Sequence, residues 1–236
     1  EADLRGLLPV LLLEDGIASA KSLAQTYPSL AIVVFRSKSS PPASAERVGR
    51  TLLITSGPQG KSVIHLTFRG GELACQRVVN LDPSFSDDSE ASRIFLTYKR
   101  RVKEEKLLEM LPRTEGAGYA GSKKCISCHQ KEGEIWKTSE HSHALKTLEV
   151  DGSDRDPDCV GCHVVGLSKK PGFRDRASTP QLADVGCESC HGPGLKHSAS
   201  PRKEKMAPSL QSCVSCHNPD HSPQFDEAKY WAKIAH

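Results

Sequence analysis

The sequence predicts a two-part fold. Residues 1–111 read as an N-terminal α/β domain, 112–124 as a linker, and 125–236 as a mainly helical and irregular domain with little regular secondary structure. Three observations predict this. β-rich apolar runs surround an Ala-rich helical segment in the first half. The stretch PRTEGAGYAGSKK, glycine and charge with little apolar content, separates the halves. Eight of the nine cysteines follow it, in a half rich in Pro, Gly, Ser and Lys and poor in large apolar side chains.

Taken in order, LLPVLLL at 7–13 and LAIVVF at 30–35 read as buried strands, with a helix from Ile17 to Ala24 between them. A Ser/Pro-rich loop at 37–45 leads to TLLITSG at 51–57. KSVIHLTF and ELACQRVVNL then flank Gly70 and Gly71, which predicts a hairpin. A helix is expected from Asp88 to Leu111. Asp87 and Glu90 stand as its capping box, and Ala91, Ile94, Phe95, Tyr98 and Val102 line one face. Beyond the linker, short helices are expected near 127–148 and 225–236, with loops between. His65 reads as a strand side chain and Cys75 as a small buried residue.

The cysteines carry the chemistry. CISCH (Cys125, Cys128, His129), CVGCH (Cys159, Cys162, His163), CESCH (Cys187, Cys190, His191) and CVSCH (Cys213, Cys216, His217) repeat one pattern. Cys-x-x-Cys-His is the attachment site for c-type haem: both thiols add across the haem vinyl groups, and the next histidine is held against the iron. Paired Cys-x-x-Cys knuckles also suit structural zinc, and clustered cysteines suit a disulfide scaffold. Neither explains a histidine after all four pairs, a coincidence on the order of one in a few hundred thousand. Four c-type haems with their iron are therefore expected. The motif spacings of 34, 28 and 26 residues are unequal, which excludes a solenoid repeat.

Haem also reframes the composition. The 112 residues from Cys125 to His236 contain too few apolar side chains for a conventional core, and flat porphyrins would supply that surface, so folding should depend on haem. Propionates and ferric iron turn the formal charge of +3 to roughly −1. No nucleic-acid partner follows, and Lys99, Arg100, Arg101 and Lys103 read as a solvated helix face. No run reaches the 18 apolar residues of a transmembrane segment. Haem attachment of this kind predicts an exported protein, periplasmic or extracellular at the cell surface, from which a leader has been removed or which begins after further processing.

A haem iron takes two axial ligands. Only Met110 and Met206 are present, whereas His141, His143, His197, His221 and His236 all lie in the second half, enough for four bis-histidine irons. His197 is too near His191 in sequence to serve the same iron. Residues two apart on a helix point about 200° from each other, so His141 and His143 cannot serve one iron.

The run from GSKKCISCHQKEGEIWKTSEHSHALKTLE through DCVGCHVVG and DVGCESCHGPG to the final CVSCH resembles the tetrahaem cytochrome c-554 family across 118–236. The resemblance implies axial pairs: His129 with His197 on haem 1, His191 with His141 on haem 3, and His217 with His236 on haem 4. The family's type member leaves the iron of haem 2, here on His163, without a second protein ligand, while His143 and His221 are spare in this chain. His143 could reach haem 2 or the haem of a neighbouring copy. The latter resembles multihaem cytochromes that polymerise into extracellular filaments. The first half resembles the C-terminal part of a calcineurin-like metallophosphatase or 5′-nucleotidase domain. FRSKS stands where the metal-binding Gly-His-x-His belongs, which implies a degenerate domain used for packing or assembly.

The expected function is electron transport by a multihaem, mostly bis-His cytochrome. Its partners are redox proteins or neighbouring copies in a homo-oligomer or filament. With both axial positions filled by imidazole, the iron has no vacancy for substrate, so no catalytic residues are expected. The alternative is a haem redox enzyme acting on a small nitrogen or oxygen species at a five-coordinate haem 2.

Overall fold

A computed structural model describes residues 7–42, 44–200 and 205–236. Of the Ser/Pro-rich loop at 37–45, Ala43 lies outside the described residues. The chain forms two compact units, Glu1–Ser86 and Asp87–His236.

In the first unit, β1 (Val10–Leu13) begins directly after Pro9, which cannot donate to a ladder. Helix α1 (Ile17–Thr26) crosses to β2 (Ile32–Phe35), which pairs parallel with β1 from Val10↔Ile32 to Leu13↔Phe35. β4 (Thr51–Ile54) adds in parallel to β2, and β3 (Glu46–Val48) adds antiparallel to β4, giving the order β1-β2-β4-β3. Successive strand side chains face opposite ways. Val33 and Leu53 accordingly pack with Ala20 and Ala24 of α1, while Ile32, Leu52 and Ile54 meet Ile64, Leu66, Phe68 and Leu73. Those last four belong to the hairpin β5 (Ser62–Arg69) and β6 (Glu72–Asn80). Its turn is closed by Gly70 and Gly71 at φ +57° and +82°, where other residues would be strained. His65 and Cys75 are exposed on this hairpin, so Cys75 is not the buried residue expected from its type.

The second unit begins with α2 (Ser89–Glu104), capped by Asp88, whose carboxylate accepts from the Ala91 amide at 2.8 Å. The cap therefore sits one residue beyond the expected Asp87–Glu90 pair. The helix is also shorter than 88–111, because Lys106 adopts φ +54° and starts a separate turn, α3 (Leu107–Met110). Val102 and Leu108 are buried, and Leu108 joins Leu145, Val160, Val164, Val165, Phe173 and Leu182 in one core cluster. Residues 112–124 are bound into the same unit: the Thr114 amide donates to Ser168 O at 3.0 Å and the Lys170 amide to Thr114 O at 2.9 Å. The compact units thus divide at Ser86/Asp87 rather than within 112–124: Leu108 of α3 is buried in the core of the cysteine-rich unit, although Ile94, Phe95, Leu96 and Tyr98 of α2 stay exposed.

Short helices follow: α4 (Ser122–Ile126), α5 (Gln130–Lys137), α6 (Ala144–Asp151), α7 (Pro157–Val160), α8 (Cys187–His191), α9 (Leu195–Ala199), α10 (Leu210–Cys216) and α11 (Glu227–Trp231). The basic run on α2 is held by acidic neighbours, with Lys99 on Asp151 at 2.7 Å and Arg101 on Glu105 at 2.8 Å. Among the described residues no helix is long and apolar enough to cross a membrane.

Candidate haem sites

Each Cys-x-x-Cys-His motif is wound into, or just past, a helical turn. The His129 amide donates to Cys125 O at 2.9 Å and the His217 amide to Cys213 O at 2.8 Å; Cys187–His191 is helical throughout. In the second motif the His163 amide bonds one turn back to Val160 O at 2.9 Å. Helical residues at i, i+3 and i+4 share a face, so such a turn brings both thiols and the imidazole to one side. None of the eight motif cysteines is paired in a disulfide.

The third motif meets both the first and the fourth, and the second meets the fourth; Ser212 Oγ donates to Cys190 O at 3.3 Å. The Cys125 and Cys187 thiols contact each other, which raises Cys125 and lowers Cys187, and burial together with the Cys216 thiol pushes Cys162 up. A cleft lined by Cys125, His129, Trp136, Cys187, His191 and His236 joins the first and third motifs. Trp136 fixes this junction by donating from Nε1 to Val185 O at 2.8 Å.

Imidazoles also come together in pairs. Ring centres lie 6.1 Å apart for His129 and His197, 6.1 Å for His141 and His217, and 5.8 Å for His191 and His236. A metal–imidazole bond is about 2 Å, so two imidazoles on opposite sides of one iron have ring centres roughly 6 Å apart. Each pair joins one motif histidine to one distant histidine. The first is the pair implied by the family resemblance. The other two exchange partners relative to it, since His236 lies against His191 and His141 against His217. Burial lowers the pKa of His141, His191 and His217, favouring the neutral ring whose lone pair can bind a metal.

Second contacts fix several rings. Nδ1 of His163 donates to Ala144 O at 2.7 Å and Nδ1 of His236 to Ile234 O at 2.8 Å, leaving Nε2 of each as the free lone pair. Phe225 stacks on His217 at 5.0 Å, and Tyr230 meets the ring edge-on at 5.2 Å. Among the described residues His163 belongs to none of the imidazole pairs. His143 is half-exposed, with Nε2 3.0 Å from Glu140 Oε2 and Nδ1 3.3 Å from Ser142 Oγ. His221 is exposed on the turn after Asn218.

A family model described as cytochrome c554 and c-prime matches residues 124–192. This segment is similar to the cytochrome c-554 family. The c-554 segment carries three of the four motifs, and c-type haem with its iron is the cofactor the family implies. The chain is 37% identical over 106 residues to cytochrome c-554 of Nitrosomonas europaea, covering 39% of this chain and 45% of that protein. It is 26% identical over 126 residues to the multiheme cytochrome MtrA of Shewanella baltica, covering 44% of this chain and 34% of that protein. It therefore spans less than half the length of these curated relatives. No solved structure matches it.

Two features escape a reading of motifs. Tyr98 of α2 donates its hydroxyl to Asp156 Oδ2 at 2.7 Å, tying α2 to the cap of the helix that bears Cys159. Glu188, inside the third motif, is buried at 4% exposure, and its carboxylate accepts from the amides of Ala120, Gly121 and Gly194 at 2.8, 2.7 and 2.6 Å. The only sequence signal for it is a contrast, since the same position is Ile126, Val160 and Val214 in the other motifs.

Proposed function

We propose that this chain is an exported tetrahaem c-type cytochrome that passes single electrons through four closely packed haems. The observation that carries the reading is the set of three imidazole pairs near 6 Å, each joining a motif histidine to a distant one. Haem, when bound, supplies the iron that gains and loses the electron. The motif cysteines would anchor it and the paired imidazoles would hold its iron. Filled axial positions keep substrate out and need little movement when the charge changes. Imidazole on both sides, without a potential-raising methionine, favours low potentials. The Cys125 and Cys187 thiols lie together, as do those of Cys162 and Cys216, so haems anchored there would be near neighbours.

Intact mass of the matured protein should equal the polypeptide plus four haems. Ferric electron paramagnetic resonance should show low-spin signals from the first, third and fourth sites. A colourless product with free thiols would overturn the reading.

The second site carries a second reading, because His163 stands outside the imidazole pairs. A five-coordinate iron there would accept a small nitrogen or oxygen species, giving a high-spin ferric signal and rapid cyanide binding. A polymeric conduit makes the opposite demand, that His143 or His221 of a neighbouring copy completes this site. The second iron would then be low-spin in assemblies and high-spin in monomers.

A further inference from the structure

Of the eight residues between the paired motif cysteines, one is ionisable. Ile126, Val160 and Val214 occupy the position directly after the first cysteine in three motifs, and Glu188 occupies it in CESCH. Val160 is fully buried, Ile126 half-buried and Val214 exposed, so burial of Glu188 is set by its surroundings and not by the motif. A carboxylate there needs strong compensation. It receives three backbone amides, two on Oε1 from Ala120 and Gly194 and one on Oε2 from Gly121. Every partner is a donor, and only an ionised carboxylate accepts on both oxygens without offering a proton of its own. Among the described residues no lysine, arginine or histidine forms an ion pair with it. The amides solvate the charge without cancelling it.

The carboxylate also lies where two sites meet. It adjoins Cys187 in sequence. Through Gly121 it grips the turn that starts the first motif, whose Cys125 amide and thiol both donate to Gly121 O. Its field reaches other groups there. Burial and then the Glu188 charge push the Tyr119 phenol up, and the same charge adds to the rise of Cys125.

We propose that Glu188 is a fixed interior negative charge that holds the first and third haem sites at lower potential than the fourth, and so biases the direction of electron movement through the molecule. This rests on the haem electron-transfer reading above. Ferric iron carries one more positive charge than ferrous iron, and a nearby anion in a low-dielectric interior favours the ferric state. The hydrogen-bond partners of the Glu188 carboxylate are backbone amides and none is a paired histidine, so it would act by position.

The test is a redox titration of the full-length, matured protein, with individual sites followed by electron paramagnetic resonance or paramagnetic NMR. Glu188→Gln removes the charge and keeps most of the volume. It should raise the first and third sites by at least a tenfold change in the ferrous-to-ferric ratio at fixed poise, about 59 mV, and the second and fourth by less. Glu188→Asp keeps the charge and should titrate close to the unmutated protein. In the unmutated protein the first and third sites should be reduced after the fourth. Glu188→Gln with four haems and unchanged potentials would overturn the proposal, as would reduction of the first or third site before the fourth. The second result needs no variant to mature. Absence of haem from the unmutated protein would instead overturn the proposed function.

Discussion

At the scale of single residues, the axial partners offer the sharpest test. His236 lies 5.8 Å from His191, whereas the family resemblance implies it for the iron on His217. His236→Ala should convert the third site to high spin and leave the fourth low-spin. His141→Ala should do the reverse, with spin state per site as the readout. Tyr98 gives a pH prediction. Its hydrogen bond to Asp156 pushes the phenol up to about 12, while an unfolded tyrosine loses its proton near about 10. A group whose folded pKa is raised contributes stability that is fully present below the unfolded value and lost as pH rises through the folded one. Alkaline denaturation should therefore steepen between about pH 10 and 12 in the unmutated protein and less in Tyr98→Phe.

At the scale of elements, the α7 turn shows how a short helix is made rigid enough to present a thiol. Asp156 caps it through the Asp158 amide at 3.0 Å, Pro157 supplies a pre-set first position, and Val160 plugs the core. Asp156→Ala should cost about 1–2 kcal/mol, read as a lower melting temperature of the matured protein. The elements themselves were legible to different degrees. The hairpin at Gly70 and Gly71 was readable because the turn chemistry is local. β3 was not assigned, because Glu46–Val48 is short, exposed and made a strand only by pairing with β4. The break at Lys106 was hidden because the apolar stripe continues in sequence while the backbone turns left-handed to bury Leu108.

At the scale of the whole molecule, the position of the boundary matters. Leu108 belongs to the core cluster of the cysteine-rich unit, Leu111 packs against it, and the Tyr98–Asp156 bond ties α2 to α7. A chain starting at residue 87 should mature with the haem spectrum of the full-length protein. A chain starting at residue 112 should melt lower and lose haem from the second site. Absorption spectra and thermal denaturation of the two truncations check this. The core cluster of the second unit is small for its length, so chain matured without haem should show the circular dichroism of an unfolded polypeptide.

Sequence alone determined the cofactor chemistry, because Cys-x-x-Cys-His is a local arrangement: five consecutive residues on one turn bring two thiols and an imidazole to one side whatever the rest of the chain does. It also supplied the pool of distant histidines. Only tertiary structure decided which distant imidazole meets which motif, that His163 stands outside the pairs, and that a glutamate inside a motif becomes buried. Those outcomes depend on contacts between segments far apart in the chain, such as His191 with His236 and Glu188 with Ala120 and Gly121, and no pattern within a short window encodes them.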